Sequence, residues 1–170
     1  MDINKFASIK ASANVPRRPT AIIGKNQQLW DLGMNHVNME TGREVEEKIH
    51  QLDSQLHLVL IAEYFDESLV LLAKLMCWDL TDVRYLKQNA RKSEKVSKIK
   101  KSSRDNLVKW LKADFQLYKH FVKKLETLID KYGRDRMAQD VETLRSLNEE
   151  LRKECVLEVA DNSKLKGEFK

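Results

Sequence analysis

Residues 56–62, LHLVLIA, run without a break into residues 63–78, EYFDESLVLLAKLMCW. The first seven residues are apolar on both alternating faces, apart from His57, and rich in branched side chains. That pattern predicts a buried strand. The next sixteen change period. Leu69, Leu72, Ala73 and Met76 recur at helical spacing behind Asp66, a residue type that caps helices. The junction therefore reads as a strand feeding directly into an N-capped helix.

Working outward, the segment 79–85 predicts a short second helix capped by Asp79 or Thr81, with Val83 and Tyr85 facing inward. On the other side, Thr41–Asp53 predicts a helix. Thr41 can cap it, Glu44 stands three residues on, and Val45, Ile49 and Leu52 share a face. Gln28–Leu32 suggests a short strand ending at Gly33. Residues 1–25 read as an extended N-terminal segment, with Pro16 and Pro19 flanking Arg17 and Arg18. Downstream, Leu107, Leu111, Phe115, Tyr118, Val122, Leu125, Ile129 and Tyr132 predict one long helix, punctuated by Gly133. Met137, Val141, Leu144, Leu147, Leu151 and Cys155 predict another. Residues 157–170 form a polar tail. No internal repeat is present.

Composition agrees with a helix-rich chain. Of 170 residues, 42% are hydrophobic, 34% are charged, and only five are Gly and two Pro. A chain so poor in turn residues is a poor candidate for a sandwich or barrel. No run of 18 apolar residues occurs, and no apolar run follows the first charges, so neither a membrane anchor nor a signal peptide is expected in these residues. The net charge of +5 is uneven. Residues 86–104, LKQNARKSEKVSKIKKSSR, hold eight Lys/Arg and one Glu, so the rest of the chain is slightly acidic. This is a basic insertion, expected as a mobile loop, rather than a basic domain. Cys77 and Cys155 have no metal-ligand spacing, and neither do His36, His50, His57 and His120, so no metal is expected.

One physical difficulty stands out. A strand that is apolar on both faces needs neighbouring strands and covering helices. One convincing strand and one doubtful one do not make such a sheet. The rest of it is expected from another chain or a longer protein.

Residues 58–78 continuing through DLTDVRYLKQNAR, 79–91, resemble the galactose 3-O-sulfotransferase family. Supporting pieces are NQQLWDLGMN at 26–35, LYKHF at 117–121, GRDRM at 133–137 and LRSLNEELRKEC at 144–155. The resemblance covers residues 26–156, with 86–104 as a loop within it. It implies a P-loop-like α/β fold with a parallel sheet. It also implies transfer of a sulfuryl group from 3′-phosphoadenosine 5′-phosphosulfate to the 3-hydroxyl of a galactose on glycolipids or glycans, as in galactosylceramide sulfotransferase-type activity. A Golgi membrane setting, on the luminal side, comes with the family. The Gly-rich loop that would hold the donor's phosphosulfate is not in this sequence, whose five glycines are isolated from one another. The chain is therefore expected to be the C-terminal portion of such an enzyme, inactive without an N-terminal donor-binding half.

Within that frame, Glu63, Asp66 and Glu67 are the candidate catalytic residues. They cluster past the C-terminal end of the expected strand, where open α/β sheets meet ligand, and a carboxylate there can take a proton from a sugar hydroxyl. Against this, Asp66 can cap the helix and Glu67 can complement its dipole. Lys87, Asn89, Arg91 and Lys92 are the candidate donor-binding residues, because the donor's phosphates call for cations. The plain alternative is a solvated charge run. His57 reads as a hydrogen-bonded core histidine. Trp30, Trp78 and Trp110 can stack on sugar, although tryptophans at such spacings more often belong to a core. Cys77 and Cys155 can pair in a Golgi lumen or serve as small buried residues. The competing function is a non-enzymatic helical module that presents 86–104 to acidic partners or nucleic acid. For that function LHLVLIA has no use, and nucleic acid is not an expected partner.

Overall fold

A computed structural model describes residues 4, 7, 24–35, 39, 42–87 and 98–156. Six α-helices are found among them: α1 (Gln27–Asp31), α2 (Gly42–Gln55), α3 (Phe65–Met76), α4 (Lys101–Trp110), α5 (Lys112–Tyr132) and α6 (Arg134–Cys155). Two 3₁₀ turns, Ala62–Tyr64 and Leu80–Val83, flank α3. The chain divides into two compact units. One is Met1–Val59 with Ala90–Thr127, and the other is Leu60–Asn89 with Leu128–Lys170.

In the first unit, α2 turns Val45, Ile49 and Leu52 inward, as its sequence spacing dictates. Along α5, Ala113, Leu117, Phe121 and Leu125 are buried at intervals of four residues. Lys124 of α5 reaches the end of α2, donating hydrogen bonds to the carbonyl oxygens of Asp53 and Leu56, both at 3.0 Å. It also pairs with the Asp53 carboxylate, which holds that carboxyl below the usual carboxylate range. A cation at a helix C-terminus satisfies carbonyls that have no partner within the helix.

Gln28–Leu32 is helical where a strand was expected, and a pair of reciprocal caps explains it. The buried Asn26 adopts a left-handed backbone (φ 53°), and its Oδ1 accepts from the amides of Ala113 and Asp114 at the start of α5. The Asp114 carboxylate in turn accepts from the amides of Gln28 (3.1 Å) and Leu29 (3.0 Å). Each side chain thus caps the other's helix, and α1 exists because Asp114 satisfies its first amides.

The expected strand at 56–62 is not formed. No strand occurs among the described residues. Only Ile61 of this run is buried, and Leu60 is 44% exposed. A strand needs a partner ladder, and none is found among the described residues. The Ile61 amide donates instead to Ser68 Oγ at 3.1 Å, which ties the segment to α3. His57 is exposed rather than a core histidine, because the strand that was to bury it is not formed.

In the second unit α3 packs on α6, and the 80–83 turn packs on both. Leu69, Val70 and Ala73 of α3 and Met137, Val141 and Leu144 of α6 supply the apolar surface. Asp79 caps its turn as expected. Its side chain and amide form a reciprocal capping box with Asp82, and Val83 is buried.

The long helix expected from Leu107 begins earlier, at Lys101, and is broken at Leu111 into α4 and α5. Residues 101–104, part of the basic segment expected as a loop, are therefore helical. Ser103 turns to the interior while the charged neighbours Lys101 and Arg104 face solvent. Residues 88–97 of that segment lie outside the described residues, as do Thr41, proposed as the cap of α2, and the tail 157–170.

Candidate functional site

The second unit carries the carboxylate cluster. Glu63 lies in the 62–64 turn and is exposed to solvent. Asp66 and Glu67 occupy the first turn of α3 and are half-buried. Asp66 does not act as a helix cap. The capping position is Tyr64, which makes no side-chain bond to the helix. The Asp66 carboxylate is turned toward α6 and the segment after the 80–83 turn. Its Oδ1 accepts from the Tyr85 hydroxyl at 2.8 Å and its Oδ2 from Arg145 Nε at 2.8 Å. Both oxygens of Asp66 are thus engaged by neutral and cationic donors.

Tyr85 is locked from two sides. Asn148 Oδ1 accepts from its amide at 2.8 Å, and its ring meets Phe65 edge-on at 4.9 Å. Burial, and then the bond to Asp66, push its hydroxyl up to about 12, so it remains a proton donor in this network. Arg145, raised by its hydrogen bond with Asp66, stays charged, and Glu67 adds to the negative field around it. Arg145 and Asn148 were not among the sequence candidates. They lie one helical turn apart on α6, in a stretch whose apolar spacing gave no sign of the polar partner.

Glu63 differs from Asp66 in having no such lock, and it faces water beside it. Lys87, downstream of the 80–83 turn, is also exposed. Asn89, Arg91 and Lys92 lie outside the described residues. No group of three or more His, Cys, Asp or Glu side chains gathers in a way that would hold a metal ion among the described residues.

At the other end of α3 there is a groove of about 380 Å³. Trp78, Asp79, Lys74, Tyr132, Arg136 and Asp140 contribute to its walls. Its shape follows from the end of α3. Cys77 takes a left-handed conformation (φ 55°), and the Trp78 amide donates back to the Ala73 carbonyl at 2.8 Å. That turn throws the Trp78 side chain outward, 47% exposed, so it is not the core residue its spacing suggested. Trp30 is likewise 40% exposed. Opposite, Tyr132 donates to Asp140 Oδ2 at 2.6 Å, and Arg136 lies over the Tyr132 ring at 4.7 Å. Cys77 and Cys155 are both free and exposed, not buried.

A family model described as galactose-3-O-sulfotransferase matches residues 7–167. The chain belongs to the galactose-3-O-sulfotransferase family. It is 39% identical over 132 residues to galactosylceramide sulfotransferase from Mus musculus, which covers 78% of this chain and 31% of the relative. It is 33% identical over 153 residues to galactose-3-O-sulfotransferase 2 from Homo sapiens, covering 89% and 38% respectively. Galactose-3-O-sulfotransferase 4 from Homo sapiens is 40% identical over 116 residues, covering 62% and 24%. The chain thus spans about a third of the length of the curated relatives it matches. No solved structure matches it. The family match runs through the basic segment 86–104. A separate nucleic-acid or acid-binding module is not supported. No helix among the described residues is long and apolar enough to cross a membrane.

Proposed function

We propose that this chain is the C-terminal, acceptor-side part of a sulfotransferase that uses 3′-phosphoadenosine 5′-phosphosulfate, acting on the 3-hydroxyl of galactose in glycolipids or glycans, in the Golgi lumen. The observation that carries the reading is the family match across nearly the whole chain. No Gly-rich phosphate loop occurs in these residues, and the chain spans about a third of its relatives' length, which supports reading it as one part of the enzyme. A galactose-bearing acceptor and the donor-binding half are therefore its partners.

In the reaction the acceptor oxygen attacks sulfur in line, the bond from sulfur to the phosphate oxygen breaks, and the hydroxyl proton leaves to a base. Of the three carboxylates, Glu63 suits the base. It is exposed and unlocked, whereas Asp66 is committed to Tyr85 and Arg145, and Glu67 faces the Arg145 charge. Asp66 is assigned a positioning role, holding α3 against α6 so that Glu63 keeps its place at the start of the helix. Lys87, with Asn89, Arg91 and Lys92 beyond it, is assigned to the donor's phosphates.

The test is turnover in the full-length protein that carries this sequence. Glu63→Gln is expected to lower kcat about tenfold or more, within the range general-base removal produces, with melting temperature and donor KM unchanged. Unchanged turnover in a folded variant removes Glu63 from the reaction.

A further inference from the structure

The groove at the end of α3 has no part in the chemistry assigned to Glu63. Helix α3 separates the two by its own length, about 18 Å for twelve residues. The groove's composition is nevertheless that of a binding site. Its volume of about 380 Å³ lies at the small end of ligand pockets, enough for one or two sugar rings. It pairs an outward-facing indole with several polar groups that converge on the same space. Lys74 and Arg136 are balanced by Asp79 and Asp140, so the site carries no net charge to attract a phosphorylated ligand. The Tyr132–Asp140 bond, the Arg136 stack on Tyr132 and the Arg136–Asp140 pair at 3.6 Å tie donors and acceptors together in the wall of the groove that Trp78 also lines. An aromatic face for the C–H side of a ring and linked polar groups for its hydroxyls suit a neutral sugar. A nucleotide donor would need a cationic cradle instead.

We propose that this groove is a subsite for a neutral sugar residue of the acceptor, remote from the hydroxyl that reacts. The proposal rests on the sulfotransferase reading for its biological meaning, but binding can be measured without turnover. Binding energy gathered by a remote subsite is spent on holding the reacting end in place, so longer glycans are the better acceptors. Trp78 is the platform, and Asp140 and Arg136 are the hydroxyl partners.

Cys77 lines the groove and is exposed, and Cys155 is an exposed control at the far end of α6. The 170-residue chain is treated with iodoacetamide with and without lactose, and alkylation at each cysteine is followed by mass spectrometry. Lactose is expected to slow alkylation of Cys77 about fivefold or more near saturation, following 1 + [L]/Kd, and to leave Cys155 unchanged. Trp78→Ala is expected to abolish the protection, whereas Trp30→Ala keeps it. Equal rates with and without lactose overturn the proposal. So does protection at both cysteines, protection that survives Trp78→Ala, or protection by adenosine 3′,5′-bisphosphate in place of lactose. In the full-length protein, Trp78→Ala is expected to raise KM about tenfold for oligosaccharide acceptors, the scale of one lost aromatic contact, and to leave KM for methyl galactoside unchanged. Absence of sulfate transfer by the wild-type protein, with Cys77 protection intact, removes the sulfotransferase reading and leaves the sugar groove standing.

Discussion

Single residues carry much of what distinguishes this chain from its sequence pattern. Asp66 has the sequence signature of a helix cap, yet its two oxygens are turned to Tyr85 and Arg145. Nothing local announces that choice, because the partner on α6 lies 79 positions away. The consequence for Tyr85 has a definite sign. Its folded hydroxyl is raised from 10.0 to about 12, so the stability it contributes is fully present below pH 10 and is lost as pH climbs toward 12. Tyr132, raised by burial and then by Asp140, acts in the same direction. Urea unfolding across pH 9–12 is therefore expected to show a falling midpoint, and Tyr85→Phe is expected to flatten the fall without abolishing it. Cys77 poses the opposite case, a non-glycine residue in the left-handed region at the end of α3. Relief of that backbone cost exceeds the added chain entropy of glycine. Cys77→Gly is expected to stabilise the fold by about 0.5–1 kcal/mol, read as a higher urea midpoint at unchanged slope. A lower midpoint would mean that the exposed thiol makes a contribution its surroundings do not reveal.

At the scale of elements, the helices with clean apolar spacing were legible and the short pieces were not. Val45, Ile49 and Leu52 placed α2, and Met137, Val141 and Leu144 placed the buried face of α6, because a helix face is written in one contiguous stretch. The segment 56–62 misled because apolarity on both faces signals a strand only when a ladder partner exists. That partner is not a property of the segment itself. The piece 27–31 misled for the mirror reason. Its helix is decided by Asp114, some 85 residues away, which accepts from the Gln28 and Leu29 amides. Asp114→Ala therefore leaves two amides of α1, the Leu29 amide buried and the Gln28 amide part-buried, without their acceptors. The loss is expected to be about 2 kcal/mol in equilibrium unfolding. Asp114→Asn, which keeps one acceptor oxygen, is expected to lose about half as much. A neutral Asp114→Ala would mean that α1 holds by the burial of Leu29 alone.

For the molecule as a whole, charge is the property that the sequence shows most plainly. The basic residues of 86–104 stand against a slightly acidic remainder; of them, Lys87 belongs to the unit that bears Glu63 and the Trp78 groove, and those from Arg91 on to the other unit. The groove balances its charges, and Asp66 is neutralised by Arg145, so neither offers a place for a polyanion. The charge that a donor's phosphates call for stands in the basic segment, with Lys87 exposed near its start. Attraction between exposed charges is long-ranged at low salt and screened within about 8 Å at physiological ionic strength. A donor-binding role thus predicts two linked effects in the full-length protein. Replacing Lys87 and Arg91 by Gln is expected to raise the donor KM several-fold, about 1 kcal/mol for the pair on the scale of exposed charge pairs. The same replacement is expected to reduce the dependence of the donor KM on salt while leaving the acceptor KM in place. A donor KM that stays constant, with its salt dependence intact, would make 86–104 a solvated charge run and leave donor recognition to residues other than these.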